Sequence, residues 1–179
     1  MFQVRIHGRG GQGVVTAAEM LSIAAFLEKK YSQAFPSFGS ERTGAPVVAF
    51  CRISDREIRL REPILEPNAL IVQDKTVIES SHALDGILEG GYVLVNSSIP
   101  LSSCPKNVSL RCIDATGIAL EYVGRPIPNA VLLGGFAALT SVIKIDSVID
   151  AIKTKFSGAI AEKNISAAQV AYEKISGEN

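Results

Sequence analysis

The sequence predicts an α/β fold of three layers, in which a mostly parallel sheet carries an inserted β-hairpin and the C-terminal third is helical. Three features lead to this prediction. A short alternating strand runs into a glycine-rich turn and an apolar helix near the N-terminus. Several short apolar runs of strand length follow, and helical patterns dominate beyond Pro128. A strand, a glycine turn and a helix in that order are typical of a Rossmann-like sandwich.

Length and composition indicate one globular domain spanning residues 1–179. The chain has 179 residues, of which 47% are apolar and 20% charged, and one domain usually takes roughly 100–200 residues. Its 18 Lys and Arg residues balance 18 Asp and Glu residues, so the formal net charge is zero. Because a nucleic-acid-binding protein usually carries a basic surface, we expect no nucleic-acid partner.

The cysteines and histidines argue against a metal or iron–sulfur site in this chain. Cys51, Cys104 and Cys112 form no C-x-x-C pair, and the sequence has only His7 and His82 besides. A cluster or a structural zinc ion normally needs four ligands. The odd number of cysteines, the lack of a signal peptide and the lack of an apolar run of roughly 18 residues predict a cytoplasmic protein without a membrane span.

The first half of the chain alternates predicted strands and helices. Residues 2–7 predict a strand, residues 14–30 a helix packed on the sheet, and residues 31–35 a second strand. The Gly, Pro, Ser and Thr content of residues 36–46 predicts a loop.

The middle of the chain predicts the inserted hairpin and the remaining strands. Residues 47–53 and 58–61 are apolar or alternating, and the polar residues between them suit a turn, so the two runs predict an antiparallel hairpin. Short apolar runs suit buried strands, and they occupy residues 69–72, 92–96 and 108–112.

Helices are predicted between the later strands and throughout the C-terminal third. Asp114 begins one helix, and Asn129 and Asp146 are placed where each would cap the N-terminus of the helix that follows. The other predicted helices cover residues 76–88, 130–142, 146–156 and 159–175.

The turn GRGGQG has the spacing of a phosphate-binding loop. Gly8, Gly10 and Gly13 satisfy G-x-G-x-x-G between a predicted strand and a predicted helix. Glycine tolerates positive φ and a close backbone approach, so successive N–H groups can face a phosphate, and the helix N-terminus adds partial positive charge. Arg9 and Gln12 offer further donors from their side chains.

Two other interpretations of the glycine turn stay open. An NAD-binding unit places Asp or Glu at the end of the second strand, about 20 residues onward. Ala34, Phe35 and Pro36 stand there instead, which disfavours a freestanding NAD-binding oxidoreductase. Alternatively, the glycines serve only the tight packing of the strand against the helix.

Six stretches of the sequence carry a family resemblance. GRGGQG is followed by QAFPSFGSERTGAPVVAF, and later by EPNALIVQD, GGYVLVN, IDATGIAL and RPIPNAVLLGGF. Together they resemble the gamma subunit of thiamine-diphosphate-dependent 2-oxoacid:ferredoxin oxidoreductases. The form ERTGAP is most similar to pyruvate-type members, and the resemblance covers most of the chain.

The resemblance implies a supporting role in a multi-subunit enzyme. That family converts a 2-oxoacid, coenzyme A and oxidised ferredoxin into acyl-CoA, carbon dioxide and reduced ferredoxin. Thiamine diphosphate, Mg²⁺ and [4Fe-4S] clusters are expected only in the partner alpha, beta and delta subunits, and ferredoxin is reached through the complex. The gamma subunit is implicated in coenzyme A binding and active-site closure, with no catalytic or metal-binding residue of its own and no activity alone.

With coenzyme A as the ligand, two loops supply the candidate site. Because both follow strands that point the same way, they should meet at the carboxyl edge of the sheet, near the crevice where the strand order reverses. Arg9 and Arg42 are candidate phosphate partners. The candidate residues are Gly8, Arg9, Gly10, Gly11, Gln12, Gly13, Ser37, Phe38, Gly39, Ser40, Glu41, Arg42, Thr43 and Gly44.

Each candidate also has a purely structural alternative. Glu41 and Arg42 suit a local ion pair, and Phe35 and Phe38 suit loop anchors packed on the core. His7 is predicted to be structural.

Further points stay open at the level of sequence. Asp74 and Asn96 end apolar strands, where ligand contacts are common. The competing function is an assembly subunit whose PSFGSERTGAP loop docks onto partners. The identity of the 2-oxoacid, the physiological direction and a homodimer of the isolated chain also stay open.

Overall fold

The computed structural model describes residues 1–37, 43–101 and 105–177. The strands are β1 (Phe2–Arg9), β2 (Tyr31–Pro36), β3 (Pro46–Ser54), β4 (Ala69–Val72), β5 (Tyr92–Asn96) and β6 (Ser109–Ile113). The helices are α1 (Val14–Leu27), α2 (Val77–Ser80), α3 (Ala115–Tyr122), α4 (Asn129–Thr140), α5 (Ile145–Lys155) and α6 (Gly158–Ser176).

The strands form one six-stranded sheet in the order β2-β3-β1-β4-β5-β6. β1, β4, β5 and β6 are parallel, whereas β3 is antiparallel to both of its neighbours. β2 therefore runs in the same direction as β1. The predicted α/β class, with a mostly parallel sheet and a helical C-terminal third, is confirmed.

The predicted hairpin partner of β3 is wrong. β3 pairs with β2 on one side, where Tyr31 faces Ser54, and with β1 on the other, where Phe2 faces Ile53. Both edges of β3 are thus occupied, so residues 58–61 have no edge to pair with and form no strand. The antiparallel insertion is instead the β2–β3 pair.

The predicted helix over residues 76–88 is also wrong beyond its first turn. α2 ends at Ser80, and His82 and Gly86 then adopt φ of +47° and +75°. A Cβ on Gly86 would lie 2.1 Å from the carbonyl oxygen of Leu65. This close approach ties the segment to the preceding loop and prevents a continuous helix.

The predicted N-cap of α5 is corrected as well. Lys144 is the N-cap residue, and Asp146 lies within the first turn without capping it. The backbone N–H of Lys144 donates to Glu28 Oε1 at 2.7 Å. This hydrogen bond connects the end of α1 to the residue before α5. The helix predicted to begin at Asp114 is present as α3, and the Asp114 carboxylate caps it by accepting the N–H of Gly117 at 2.9 Å.

The larger apolar core lies between the sheet and the helices that follow β1 and β6. Val4 and Ile6 of β1 are fully buried there against α1, and α4 packs on α6 through the glycine Gly134. On the opposite face of the sheet, Leu70 and Val72 of β4 belong to a smaller apolar cluster. This cluster is covered by α2 and by irregular segments of the chain. Within the described ranges no helix is long and apolar enough to cross a bilayer.

Candidate functional site

The glycine turn leaves a set of backbone amides open at the start of α1. Gly11 has φ of +94°, and Gly13 is the left-handed N-cap residue with φ of +73°. The first intrahelical bond runs from the Ala17 N–H to the Gly13 carbonyl. The N–H groups of Gly11, Val14, Val15 and Thr16 accordingly donate to no other described residue, and helix N-termini of this kind attract anions.

The end of the second loop lies directly beside this turn. Gly10 forms a bridge with Thr43, its N–H donates to Ala45 O at 2.9 Å, and its carbonyl accepts the N–H of Gly44 at 3.1 Å. The predicted meeting of the two loops is confirmed for these residues. Because the Gly10 amide is used in this contact, it is not available to a ligand.

Arg9 and Gln12 form a side-chain network with the end of β4. Arg9 donates to the Thr76 hydroxyl at 2.7 and 3.0 Å and to Gly44 O at 2.9 Å, and it lies 3.5 Å from the Asp74 carboxylate. Gln12 accepts the Arg9 N–H at 2.8 Å and donates to Asp74 at 3.1 Å. The Gln12 side chain therefore stabilises the loop, whereas the Arg9 guanidinium still has N–H groups that can donate to a ligand.

Asp74 is held as a carboxylate by this network. Partial burial raises the pKa of the Asp74 carboxyl, but hydrogen bonds from Thr76 and Gln12 and the nearby Arg9 guanidinium outweigh it, so the pKa lies below its ordinary value. The Thr76 N–H and hydroxyl reach Asp74 Oδ1 at 2.9 and 2.5 Å. The charge of Asp74 fixes the orientation of Arg9.

The open cleft lies to one side of the predicted crevice. The Arg9–Asp74 network spans the gap between the ends of β1 and β4, where the strand order reverses. A cleft of about 430 Å³ lies on the β3 side of it, and its residues come from the glycine turn, the start of α1, Thr43 and β3. They are Arg9, Gly10, Gly11, Gly13, Val14, Val15, Thr16, Thr43 and Val47.

The structure brings together some of the predicted site residues and not others. Gly8, Gln12 and Gly44 border the cleft without lining it, and a Cβ on Gly8 would meet Val14 at 2.7 Å, so this glycine serves the packing of α1. Ser37 is exposed and its N–H donates to Val48 O. Five predicted residues lie outside the described part of the chain: Phe38, Gly39, Ser40, Glu41 and Arg42.

Asn129, predicted as a helix N-cap, and Asn96, at the end of a predicted strand, make contacts that the sequence did not predict. Asn129 is 3% exposed and is the first residue of α4 rather than its N-cap, although its Oδ1 accepts the Ala130 N–H at 2.8 Å. Its Nδ2 would lie 2.5 Å from a Cβ on Gly13. Asn96 joins β5 to α3 through bonds with Thr116, so it is structural.

His7 and Phe35 are structural, as their alternatives predict. His7 is buried, and its Nε2 accepts a bond from Arg5 Nε at 2.8 Å. Burial and the Arg5 charge lower the pKa of His7 to about 3, so the ring is neutral. Phe35 packs on Phe50 with ring centroids 5.1 Å apart.

The polar groups that line the cleft are mainly hydrogen-bond donors, which suit an anion. The amides of the cleft, the Arg9 guanidinium and the Thr43 hydroxyl are donors, and none of its described side chains is a nucleophile paired with a base. Among the described residues no cluster of His, Cys, Asp and Glu is arranged to hold a metal ion. Cys51 is buried, which raises the pKa of its thiol, and it is not a reactive thiol at neutral pH.

Comparison with known sequences gives full-length relatives. Residues 3–174 match the family model of pyruvate ferredoxin/flavodoxin oxidoreductase. The chain is 51% identical to pyruvate synthase subunit PorC of Methanothermobacter marburgensis, with 98% of both chains covered. It is 48% identical to the pyruvate/ketoisovalerate oxidoreductases common subunit gamma of Thermococcus litoralis, with 97% of both covered.

Comparison with solved structures agrees with the comparison of sequences. The crystal structure of pyruvate oxidoreductase subunit PORC from Thermotoga maritima superposes with a TM-score of 0.85 at 34% identity, covering 96% of this chain and 95% of that one. The 2-oxoglutarate:ferredoxin oxidoreductase of Magnetococcus marinus, solved with 2-oxoglutarate, coenzyme A and succinyl-CoA bound, shares the fold at 15% identity and a TM-score of 0.80, over 99% of this chain and 31% of that one. The chain therefore belongs to the pyruvate ferredoxin/flavodoxin oxidoreductase family, as a gamma-type subunit of a 2-oxoacid oxidoreductase.

Proposed function

We propose that this subunit binds coenzyme A in the cleft beside the glycine turn and closes the active site of a pyruvate-type 2-oxoacid:ferredoxin oxidoreductase. The observation that carries the proposal is the set of unbonded amides at Gly11, Val14, Val15 and Thr16, with the Arg9 guanidinium at the same cleft. Amides at a helix N-terminus and an arginine are the donors that a pyrophosphate requires.

The sheet order favours coenzyme A over a nicotinamide dinucleotide. In an NAD-binding unit the second strand lies beside the first and ends in an acidic residue that binds the ribose. Here β3 separates β2 from β1, and β2 ends at Pro36. Coenzyme A needs the phosphate donors but not that carboxylate, and the distant fold relative from Magnetococcus marinus was solved with coenzyme A bound.

The remaining chemistry belongs to partner subunits in this proposal. Alpha, beta and delta subunits supply thiamine diphosphate, Mg²⁺ and [4Fe-4S] clusters, and ferredoxin docks on the complex. Residues 1–179 act as one domain in the cytoplasm and hold coenzyme A while the acyl group is transferred to its thiol. Pyruvate is the proposed 2-oxoacid, while the relative from Thermococcus litoralis is named for both pyruvate and ketoisovalerate.

Gly11 allows a direct test of the coenzyme A cleft. A Cβ on Gly11 meets no atom within 4 Å, so a valine there occupies open space beside the amides rather than disturbing the core. Gly90 has a similar φ of +74° and equally open surroundings, but lies in the turn before β5. Gly90→Val therefore reproduces the backbone strain without approaching the cleft.

The KM for coenzyme A and for pyruvate is measured in the assembled enzyme. We expect Gly11→Val to raise the KM for coenzyme A about tenfold or more, equivalent to at least about 1.4 kcal/mol, with little change in the KM for pyruvate. Gly90→Val should change neither constant. Equal coenzyme A kinetics in the two variants would refute the cleft as the binding site.

A docking role has support from the rim of the same cleft. Thr43, Gly44 and Pro46 are exposed at the end of the loop that follows β2. A Thr43→Ala variant that no longer co-purifies with the partner subunits favours docking. One that remains assembled but loses saturation by coenzyme A favours ligand binding.

A further inference from the structure

The predicted strand at residues 58–61 joins no sheet, although its sequence keeps a strand pattern. Apolar Ile58 and Leu60 alternate there with charged Arg59 and Arg61, which is the pattern of a strand with one apolar face. Both edges of β3 are occupied, and the run lies outside the coenzyme A cleft. A segment with the pattern of a strand and no partner in its own chain is suited to pair with another chain.

The backbone of this segment is free to pair. The chain bends at Arg56 and at Glu62, and it runs from Glu57 to Arg61 without a bend or turn and without a positive φ. The N–H and C=O groups of this run bond to no described residue. Four of its five residues are exposed, and Ile58 is half-buried. The run therefore presents the unpaired backbone groups of an exposed edge strand.

The run is complementary to itself when two copies lie antiparallel and centred on Arg59. In this register Glu57 of one copy faces Arg61 of the other, and Ile58 faces Leu60. Because the pair is two-fold symmetric, each of these contacts is made twice. Opposite charges and apolar side chains that face each other directly across two strands stabilise the pair.

Arg59 lies on the two-fold axis, where it faces Arg59 of the other copy. Like charges in this position are unfavourable, but each Arg59 donates to Glu57 Oε2 of its own chain at 2.9 and 3.2 Å and lies diagonally opposite Glu57 of the second copy. A register centred on Ile58 avoids this contact, but it keeps only three of the five unbent residues paired. The longer ladder therefore favours the register centred on Arg59.

We propose that residues 57–61 are the interaction surface for a second copy of this chain, with the two runs antiparallel about Arg59. The charges of the run supply their own complement, whereas a strand of another protein would need the inverse pattern. Five residues on each side cover much less than the roughly 1,200 Å² of a stable interface. The dimer of the isolated chain is accordingly weak, with a dissociation constant on the order of 0.1–1 mM.

A cysteine on the two-fold axis tests this register in the isolated full-length chain. Arg59→Cys places the Cα atoms of the two cysteines about 4.5–5.5 Å apart, within reach of a disulfide. Arg61→Cys removes an equally exposed arginine from the same face, but its two copies lie four residues apart along the pair, roughly 13 Å. On oxidation we expect Arg59→Cys to form the linked dimer about tenfold faster or more, and the wild type measures the background from the native cysteines. Equal rates for the two variants would overturn the register.

Charge reversal tests which side chains face each other. Glu57→Arg and Arg61→Glu each replace two ion pairs by two like-charge contacts, so each should raise the dissociation constant of the dimer about tenfold or more. The double variant restores opposite charges and should return this constant to within about threefold of the wild type. Lys174→Glu changes the net charge as much as Arg61→Glu at an exposed position of α6, and it should have no effect. Sedimentation equilibrium at up to millimolar concentration gives the constants.

The outcomes that contradict the proposal are distinct. A double variant that stays as weak as the single variants overturns the register, and a wild type that remains monomeric at millimolar concentration overturns the dimer. If that monomer gains protection from hydrogen exchange at residues 57–61 only in the assembled oxidoreductase, the run pairs with a partner subunit and the second copy is excluded. None of these results bears on the coenzyme A cleft, because the run does not line it.

Discussion

The glycine turn and the α4–α6 helix pair both depend on glycine, but for opposite physical reasons. A Cβ on Gly134 of α4 would lie 2.0 Å from the carbonyl oxygen of Ala168 in α6, so the missing side chain lets two helix backbones touch. Around Gly11 a Cβ would meet no atom within 4 Å, and the requirement there is the φ of +94°.

This difference separates glycines that are required for their φ from glycines that are required for packing. The space beside a glycine of the first kind is open, at Gly11 next to the cleft as at Gly90 in an ordinary turn, whereas space filled by neighbouring backbone is already used for packing. Gly11 belongs to the first kind and Gly134 to the second. Gly13 combines both, because its φ is positive and Asn129 fills the space beside it.

The largest effect is expected from Gly134→Ala. Alanine is favoured over glycine in a helix by about 1 kcal/mol, but the collision with the Ala168 backbone forces α4 and α6 apart, and overpacking of this kind usually costs about 1–3 kcal/mol or more. We expect a net loss of about 2 kcal/mol or more in the free energy of unfolding, measured by urea denaturation.

Gly135→Ala is the matched control for this change. Its Cβ would meet Leu94 Cδ2 at 3.2 Å and Ile175 Cγ1 at 3.5 Å, and both are ends of side chains that can adjust. Similar urea midpoints for the Gly134 and Gly135 variants would contradict the distinction between backbone contact and side-chain contact.

The sequence predicts the elements whose signals are local. β1, α1 and the glycine turn follow from alternation, a helical apolar run and the G-x-G-x-x-G spacing, and all three lie where predicted. The partner of β3 was predicted wrongly because strand pairing depends on which edges are free, and a neighbouring β-rich run at 58–61 does not carry that information.

The candidate site was predictable at the level of the loops but not of the side chains. That the two loops meet at one edge follows from the direction of β1 and β2. The hydrogen bond from Gln12 to Asp74 joins residues that are 62 positions apart in the sequence. The contact of Asn129 with Gly13 joins residues that are 116 positions apart, so no local pattern predicts either of them. The D-x-T pattern at Asp74 and Thr76 is a turn signal, and it marks the network only once β4 is known to lie beside β1.

An intermediate effect is expected at Gly13, which lies in the glycine turn and contacts Asn129 of α4. Gly13→Ala places an L-residue in the left-handed region, which costs about 1–2 kcal/mol, and also brings its Cβ against Asn129 Nδ2. In an Asn129→Ala background the collision is removed and only the backbone cost remains. We therefore expect Gly13→Ala to cost less in that background, by about 0.5 kcal/mol or more.

Urea unfolding of the wild type, both single variants and the double variant gives this coupling. If the cost of Gly13→Ala is the same with and without the Asn129 side chain, the contact across the two regions has no energetic role. Gly13 would then resemble Gly11, required only for its φ.

The smallest effect is expected for Asp74→Asn at the rim of the glycine turn. Asparagine keeps Oδ1 as the acceptor of both Thr76 bonds, but its NH2 group replaces Oδ2 and cannot accept the Gln12 Nε2 donor, so the change removes the charge beside Arg9 and one hydrogen bond. Because this ion pair is partly exposed, its loss should cost under about 1 kcal/mol at pH 7. The folded-state pKa of Asp74 lies below its ordinary value, so the stabilisation is present above the unfolded-state pKa near about 4 and is lost as the pH falls through the folded-state pKa.

The stability gap between wild type and Asp74→Asn should therefore narrow as urea unfolding is repeated from pH 7 down to pH 3. Asp150→Asn is the control, because it removes an ion pair with Lys153 in which both side chains are more than half exposed. The difference in stability between the wild type and this variant should be small at every pH. A gap for Asp74 that stays constant down to pH 3 would mean that its charge does not stabilise the turn. The rim would then depend on the hydrogen bonds alone, with Arg9 held by Thr76 and Gly44 rather than by the carboxylate.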